Sequence, residues 1–233
     1  MSSDLKDALV AVDWNQNVSE FTNAPVRLDK LTACCRRISL FTHELSFQDF
    51  DNPAIPFLQE MKASAFQVPA CLALGLTKPA AGLMRAAVES ALYYSYFRSH
   101  PQELRTLVSK SNYYLSRRQI IEYHKMHTPR FGVTDKSLGL IDKLETWYGE
   151  ISAIVHGQIP GVWTSKSLSS TSSLKGEVKA PIKIFERASE IIQLVFLMTV
   201  DLEDWEAVNP ISRSELLKGL SSSQLQELGL PKV

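Results

Sequence analysis

Two short rows of polar residues recur at helical spacing in this chain. Glu145, Gly149, Ser152 and His156 follow one another at intervals of 4, 3 and 4, which sets them on one helix face. Arg85, Glu89, Tyr93 and Tyr96 form a second row at intervals of 4, 4 and 3. Histidine is the side chain suited to general-base work near neutral pH, and arginine is suited to holding a developing anion. An arginine placed before a glutamate is the weaker order for an i,i+4 pair. A shared partner on another element therefore accounts for Arg85 and Glu89 better than helix support alone. Gly149 in mid-helix costs about 1 kcal/mol against alanine, which predicts a close approach to the backbone there. Both rows also read as ordinary bundle edges. His156 followed by Gly157 also reads as a helix C-terminal cap, where a cation favours the dipole.

The stretch between the rows suggests another chemistry. Tyr113-Tyr114-Leu115-Ser116-Arg117-Arg118 mixes rings with guanidinium groups, and Tyr123, Lys125 and Arg130 follow. Rings beside cations suit single-stranded RNA, which makes Arg117, Arg118, Tyr123 and Arg130 candidate RNA-binding residues. An amphipathic helix with solvated arginines is the alternative. His124 and His127 stand beside Glu122 at metal-ligand spacing, but no third histidine or cysteine pair accompanies them. They are expected to be surface or partly buried histidines, and neither a metal nor a cofactor is predicted. Gly-rich phosphate loops, G-x-S-x-G and H-E-x-x-H are missing from the sequence.

These residues need helices to position them, and helix punctuation is dense while strand signals are scarce. Asp29 is predicted to cap a helix to about Phe41. Asn52-Pro53 reads as an N-cap with proline at the first helical position. Ile55 to Leu74 reads as a helix bent at Pro69 and closed by Leu74-Gly75-Leu76. Thr77-Lys78-Pro79 starts the next helix, to about Arg98. Ser116 to Gln119 has the form of a capping box for a helix to about His127. The helix from about Lys136 to His156 carries Ile141, Leu144, Tyr148, Ile151 and Val155 as its apolar seam. Thr164 to Ser173 is serine-rich and is expected to be an exposed, mobile loop. The segment from about Pro181 to Trp205 is apolar around most of its surface, which suits a central helix. Ser212 to Glu215 and Ser221 to Gln224 read as capping boxes of a small C-terminal helical hairpin. The fold class is all-α, a bundle in which Pro79–Arg98, Lys136–His156 and Pro181–Trp205 pack together. Its expected divisions are an N-terminal extension with one helix (1–52), the bundle (53–205) and the hairpin (206–233).

One order of motifs has a family likeness. Ala81-Gly82-Leu83-Met84-Arg85-Ala86-Ala87-Val88-Glu89 follows a helix ending at Leu74-Gly75. Much later comes Tyr148-Gly149-Glu150-Ile151-Ser152-Ala153-Ile154-Val155-His156-Gly157, and then the long apolar helix. This resembles the HEPN superfamily: an R-x-x-x-E helix, a helix ending in a polar-x-x-x-His-Gly pattern, and a closing helix. The likeness covers roughly Pro53 to Trp205, with insertions. It implies a four- or five-helix up-and-down bundle, often dimeric. Many members of that superfamily are metal-independent ribonucleases of toxin–antitoxin, antiphage and CRISPR-linked systems, and others only bind or scaffold. Their nuclease signature has an arginine ahead of the histidine with four to six residues between the two. The corresponding places before His156 hold Ile151, Glu150 and Gly149.

Carried over residue by residue, the likeness makes His156 the family histidine and Ser152 its polar neighbour. Arg85 and Glu89 complete the candidate catalytic set. Two expectations follow. The first is a non-catalytic RNA- or protein-binding module of a prokaryotic conflict system (antiphage defence or toxin–antitoxin), with a partner protein from the same operon. The second is a metal-independent endoribonuclease in which His156 acts on a 2′-hydroxyl and Arg85 substitutes for the missing arginine. Tyr93, Tyr94, Tyr96, Phe97 and Trp147 exceed what one bundle seam needs, which predicts a homodimer through helix faces.

Composition bounds the rest. The chain has 233 residues, 45% of them hydrophobic, enough for a full core without disulfides or metal. Lys+Arg 25 balance Asp+Glu 25, which counts against a basic coat protein for nucleic acid and leaves room for a local basic pocket. Cys34, Cys35 and Cys71 make an odd count without a Cys-x-x-Cys pair, so a reducing compartment is expected. Met1 to Asp7 lacks the basic start and apolar run of a signal peptide. Ile191 to Val200, the longest apolar stretch, contains Gln193 and Thr199 and is too short to span a bilayer. The expected location is the cytoplasm, away from membranes.

Overall fold

The structure, a computed structural model, describes residues 2–158 and 178–230. The predicted serine-rich loop, Thr164 to Ser173, lies outside them. Among the described residues the secondary structure is entirely helical. The chain opens with α1 (Ser2–Val10), α2 (Trp14–Thr22) and α3 (Pro25–Gln48). The middle holds α4 (Ile55–Ala73), α5 (Thr77–Phe97), α6 (Pro101–Ser109), α7 (Arg117–His127), α8 (Phe131–Leu138) and α9 (Leu140–Val155). The long α10 (Lys179–Thr199) is followed by α11 (Leu202–Ala207), α12 (Pro210–Leu216) and α13 (Ser222–Leu228). None of the described helices is long and apolar enough to cross a membrane.

α5 and α10 lie at the centre. α5 buries small residues at Ala80, Ala81, Ala87 and Ala91, and α4 runs closely along it. α10 is buried at every position from Ile191 to Met198 and packs on α3, α5 and α9. Lys183, Glu186, Arg187 and Glu190 give its first half a polar edge, but from Ile191 to Met198 it has none and has to be surrounded, as its neighbours here do. Trp147 of α9 is fully buried and donates its indole N–H to the Ile184 carbonyl of α10 at 3.0 Å. Phe41 of α3 meets Phe196 of α10 with ring centroids 5.0 Å apart. At the far end of α5, Arg98 pairs with Asp49 at 3.1 Å and with Asp204 at 2.6 Å, tying three segments together. The predicted packing of α5, α9 and α10 is therefore present.

Several boundaries differ from the sequence expectation, each for a local reason. Residues 1–52 carry three helices rather than one, and α3 contributes Leu31, Ile38, Phe41 and Leu45 to the common core. α3 begins at Pro25, whose fixed φ suits the first turn, so Asp29 lies inside the helix and caps nothing. The helix expected from Lys136 breaks at Gly139, which adopts φ +66° and ends α8. Asp135 then caps α9 by accepting the Ile141 N–H at 2.9 Å. The helix expected to reach Trp205 stops at Thr199, and Asp201 caps α11 through the Asp204 N–H. Ser212 caps nothing either: it is buried within α12 and donates to Glu44 at 2.6 Å, while Asn209 caps that helix. The capping boxes at Ser116 and Ser221 are both formed. Of the rings that motivated a homodimer, Tyr94, Tyr96, Phe97 and Trp147 are buried within one chain and Tyr93 is partly buried against the core.

Candidate functional site

α5 and α9 lie against each other, and both polar rows meet along that seam. Arg85 is the hinge of the arrangement. Its Nε donates to Glu89 Oε1 at 3.0 Å, and its Nη1 stands 3.0 Å from His156 Nε2. Tyr148 of α9 donates its hydroxyl to the same Glu89 oxygen at 2.5 Å. The Arg85 guanidinium also lies over the Tyr148 ring, 4.9 Å from its centroid. Glu89 Oε1 thus collects one charged and one neutral donor from two helices.

A second ion pair extends the row. Arg117 at the start of α7 donates to Glu145 Oε2 at 2.6 Å and lies 4.0 Å from the Tyr148 ring centroid. Tyr148, which the sequence pattern assigns to the apolar seam, is therefore the link between both arginines and Glu89. A cavity of about 90 Å³ opens beside it, lined by Arg85, Glu89, Arg117 and three tyrosines, Tyr93, Tyr114 and Tyr148. Only a hydroxyl that reached across the seam could have signalled this from sequence, and i,i+4 patterning carries no such information.

α9 ends in a way that holds His156 at the surface. Gly157 adopts φ +66°, its N–H bonds to the Ile154 carbonyl at 3.1 Å, and the Gln158 N–H bonds to the Ala153 carbonyl at 2.9 Å. These are the two bonds of a Schellman ending, with His156 as the C-cap residue. His156 is exposed. A guanidinium has donors and no acceptor, so in this contact His156 Nε2 accepts and the ring proton sits on Nδ1. His156 is thus at once the C-cap residue of α9 and the contact of Arg85.

The electrostatics follow from these contacts. Burial works against the charge on Arg85, but the Glu89 hydrogen bond and charge, with Tyr148 behind them, outweigh it and hold the guanidinium above its ordinary value. Tyr148 is pushed up to about 12 by burial and by donating to Glu89. The phenol therefore stays protonated, and the site around Glu89 carries two cations against two carboxylates.

Not every candidate joins. Ser152 lies on the same face, but its Oγ is buried and bonds neither Arg85 nor Glu89; it has no hydrogen-bond partner among the described residues. Gly149 is exposed, and a Cβ there would meet nothing within 4 Å, so the expected close approach to its backbone is absent. Of the four RNA-binding candidates, Arg117 reaches the site. Arg118 is exposed on α7. Tyr123 is committed to a ring cluster with Tyr96 at 5.0 Å and His100 at 4.6 Å. Arg130 turns to the C-terminal helices, donating to the Glu227 carbonyl at 3.1 Å. The four do not form one surface, because the helical period of α7 turns Arg117 inward and Arg118 outward.

The histidine pair of α7 splits in the same way. His127 is exposed, whereas His124 is buried and both its ring nitrogens are engaged, with Ser95 Oγ at 3.0 Å and Thr128 Oγ1 at 2.8 Å. Burial, with His100 nearby, pushes His124 down to about 4. The sequence places it at or near the surface; two hydroxyl partners are what make its burial tolerable. Among the described residues, no group of three or more His, Cys, Asp or Glu side chains is arranged to hold a metal ion. Comparison with models of known protein families, with curated proteins and with solved structures finds no match to this chain.

Proposed function

We propose that this chain is a HEPN-like module of a prokaryotic conflict system that binds RNA without cleaving it, using the face shared by α5 and α9. The observation that carries this reading is the 3.0 Å contact between Arg85 Nη1 and His156 Nε2. Glu89 and Tyr148 fix the guanidinium beside an exposed imidazole, which is a preorganised partner for a phosphate oxygen. The same contact occupies the lone pair that a general base would turn on a 2′-hydroxyl. No arginine precedes His156 at the nuclease spacing. Both points favour binding over cleavage. The order of the Arg85–Glu89 and His156–Gly157 motifs supports the family assignment, and a cytoplasmic location and an operon-encoded partner protein belong to the same reading.

A second reading, a metal-independent endoribonuclease, is favoured by the same distance taken the other way. Arg85 stands where it can supply the positive charge that α9 lacks at the nuclease spacing before His156. Incubation of the protein with total RNA in EDTA separates the two. Retention of intact RNA by the wild type, weakened in His156→Ala, is the expected result. Cleavage that disappears in His156→Ala would establish the second reading, and neither retention nor cleavage would overturn both.

A further inference from the structure

α3 and α4 pack side by side and leave a long groove between them. Phe66 of α4 lines two adjoining cavities. One, of about 610 Å³, is also lined by His43 and Phe47, and the other, of about 540 Å³, by Leu28 and Leu40. From Leu28 to Phe47 the α3 backbone advances about 28 Å, the length of a helix of roughly 19 residues. Phe47 is 79% exposed and Phe66 48%. Burying a phenylalanine ring is favourable, so two such rings on one groove are a reserve of docking energy.

The charges on the groove have one sign. Arg36 and Lys62 are the charged side chains in the lining of the two cavities, and no carboxylate stands among them. Lys62 lies over the Phe66 ring at 5.9 Å, so cation and ring are presented together. Arg36 has a carboxylate neighbour, Glu215 of α12, at 3.4 Å, yet its side chain stays 61% exposed.

We propose that this groove docks an amphipathic helix of another protein, with an apolar face against Phe47 and Phe66 and acidic residues flanking it. The groove matches one helix in length, and helix-in-groove recognition reads apolar anchors at i, i+3, i+4 and i+7. A second copy of this chain is a poorer occupant, because a two-fold contact would set Arg36 and Lys62 against the same basic groove. The proposal is independent of RNA binding at α5 and α9.

The test is a phage-displayed library of helix-forming peptides, about 20 residues long, selected against the intact chain. Selected peptides are expected to carry apolar residues at helical spacing and an excess of Asp and Glu. A labelled representative should bind about tenfold more weakly to Phe66→Ser and to the double variant Arg36→Glu with Lys62→Glu. The double variant, whose changes are on the surface, should also shift selection toward Lys- and Arg-rich peptides. Circular dichroism confirms that each variant is folded. Peptides without acidic bias, or indifferent to both variants, would overturn the proposal. So would self-association, or binding to phosphatidylserine vesicles, that Phe66→Ser abolishes.

Discussion

Glu89 is the residue on which the two helices of the site agree, since Arg85 and Tyr148 both donate to its Oε1. Its side chain is 35% exposed and that of Arg85 24%, so water screens the pair. Glu89→Ala should therefore cost only about 1 kcal/mol in urea unfolding, well below the 3–5 kcal/mol of a fully buried charge left alone. Gly149 gives the opposite sign. With open space at its Cβ position and a helical backbone, Gly149→Ala should stabilise the protein by about 0.5–1 kcal/mol. His124 adds a dependence on pH. Its folded value is pushed down to about 4 while the unfolded chain titrates near 6.5, so the unfolded state binds more protons between those limits. Stability should be full above about pH 6.5 and fall by up to about 3 kcal/mol as the pH drops toward 4. Unfolding curves at a series of pH values should be flatter over that window for His124→Gln.

At the scale of the elements, the caps decide where the site residues stand. Ser116 Oγ accepts the Gln119 N–H and the Ser116 N–H donates in return to Gln119 Oε1, which starts α7 with Arg117 beside Tyr148. Ser116→Ala should cost about 1 kcal/mol by thermal melting. This box was legible because Ser-x-x-Gln is a local signal. So were Gly75 and Gly157, both at positive φ at helix ends. The split of the Lys136–His156 segment was not legible in the apolar period, because the seam residues keep phase from Ile141 onward whatever happens at Gly139. The Arg85, Glu89 and His156 rows could be read from intervals of three and four. Tyr148 and Arg117 could not, because their roles come from contacts across elements. His124 was misread for a related reason: two hydroxyls from other turns satisfy it, and ring spacing does not encode them.

For the whole molecule, a continuous core from Phe21 to Leu216 makes the N-terminal helices and α12 part of the body that carries the site. The apparent excess of aromatic residues went into that core. Cys34 and Cys35 belong to it too, with thiols pushed up to about 11 and about 12 by burial, which keeps them protonated packing groups. The chain as a whole is neutral, so RNA affinity has to come from a few positioned cations rather than from a general field. The most direct measurement is fluorescence anisotropy of a labelled single-stranded RNA in EDTA at fixed ionic strength, with the wild type, Arg85→Gln and the remote control Lys125→Gln. The expected result is saturable binding of RNA that stays intact, weakened about tenfold by Arg85→Gln and unchanged by Lys125→Gln. Equal binding by the wild type and Arg85→Gln would contradict it.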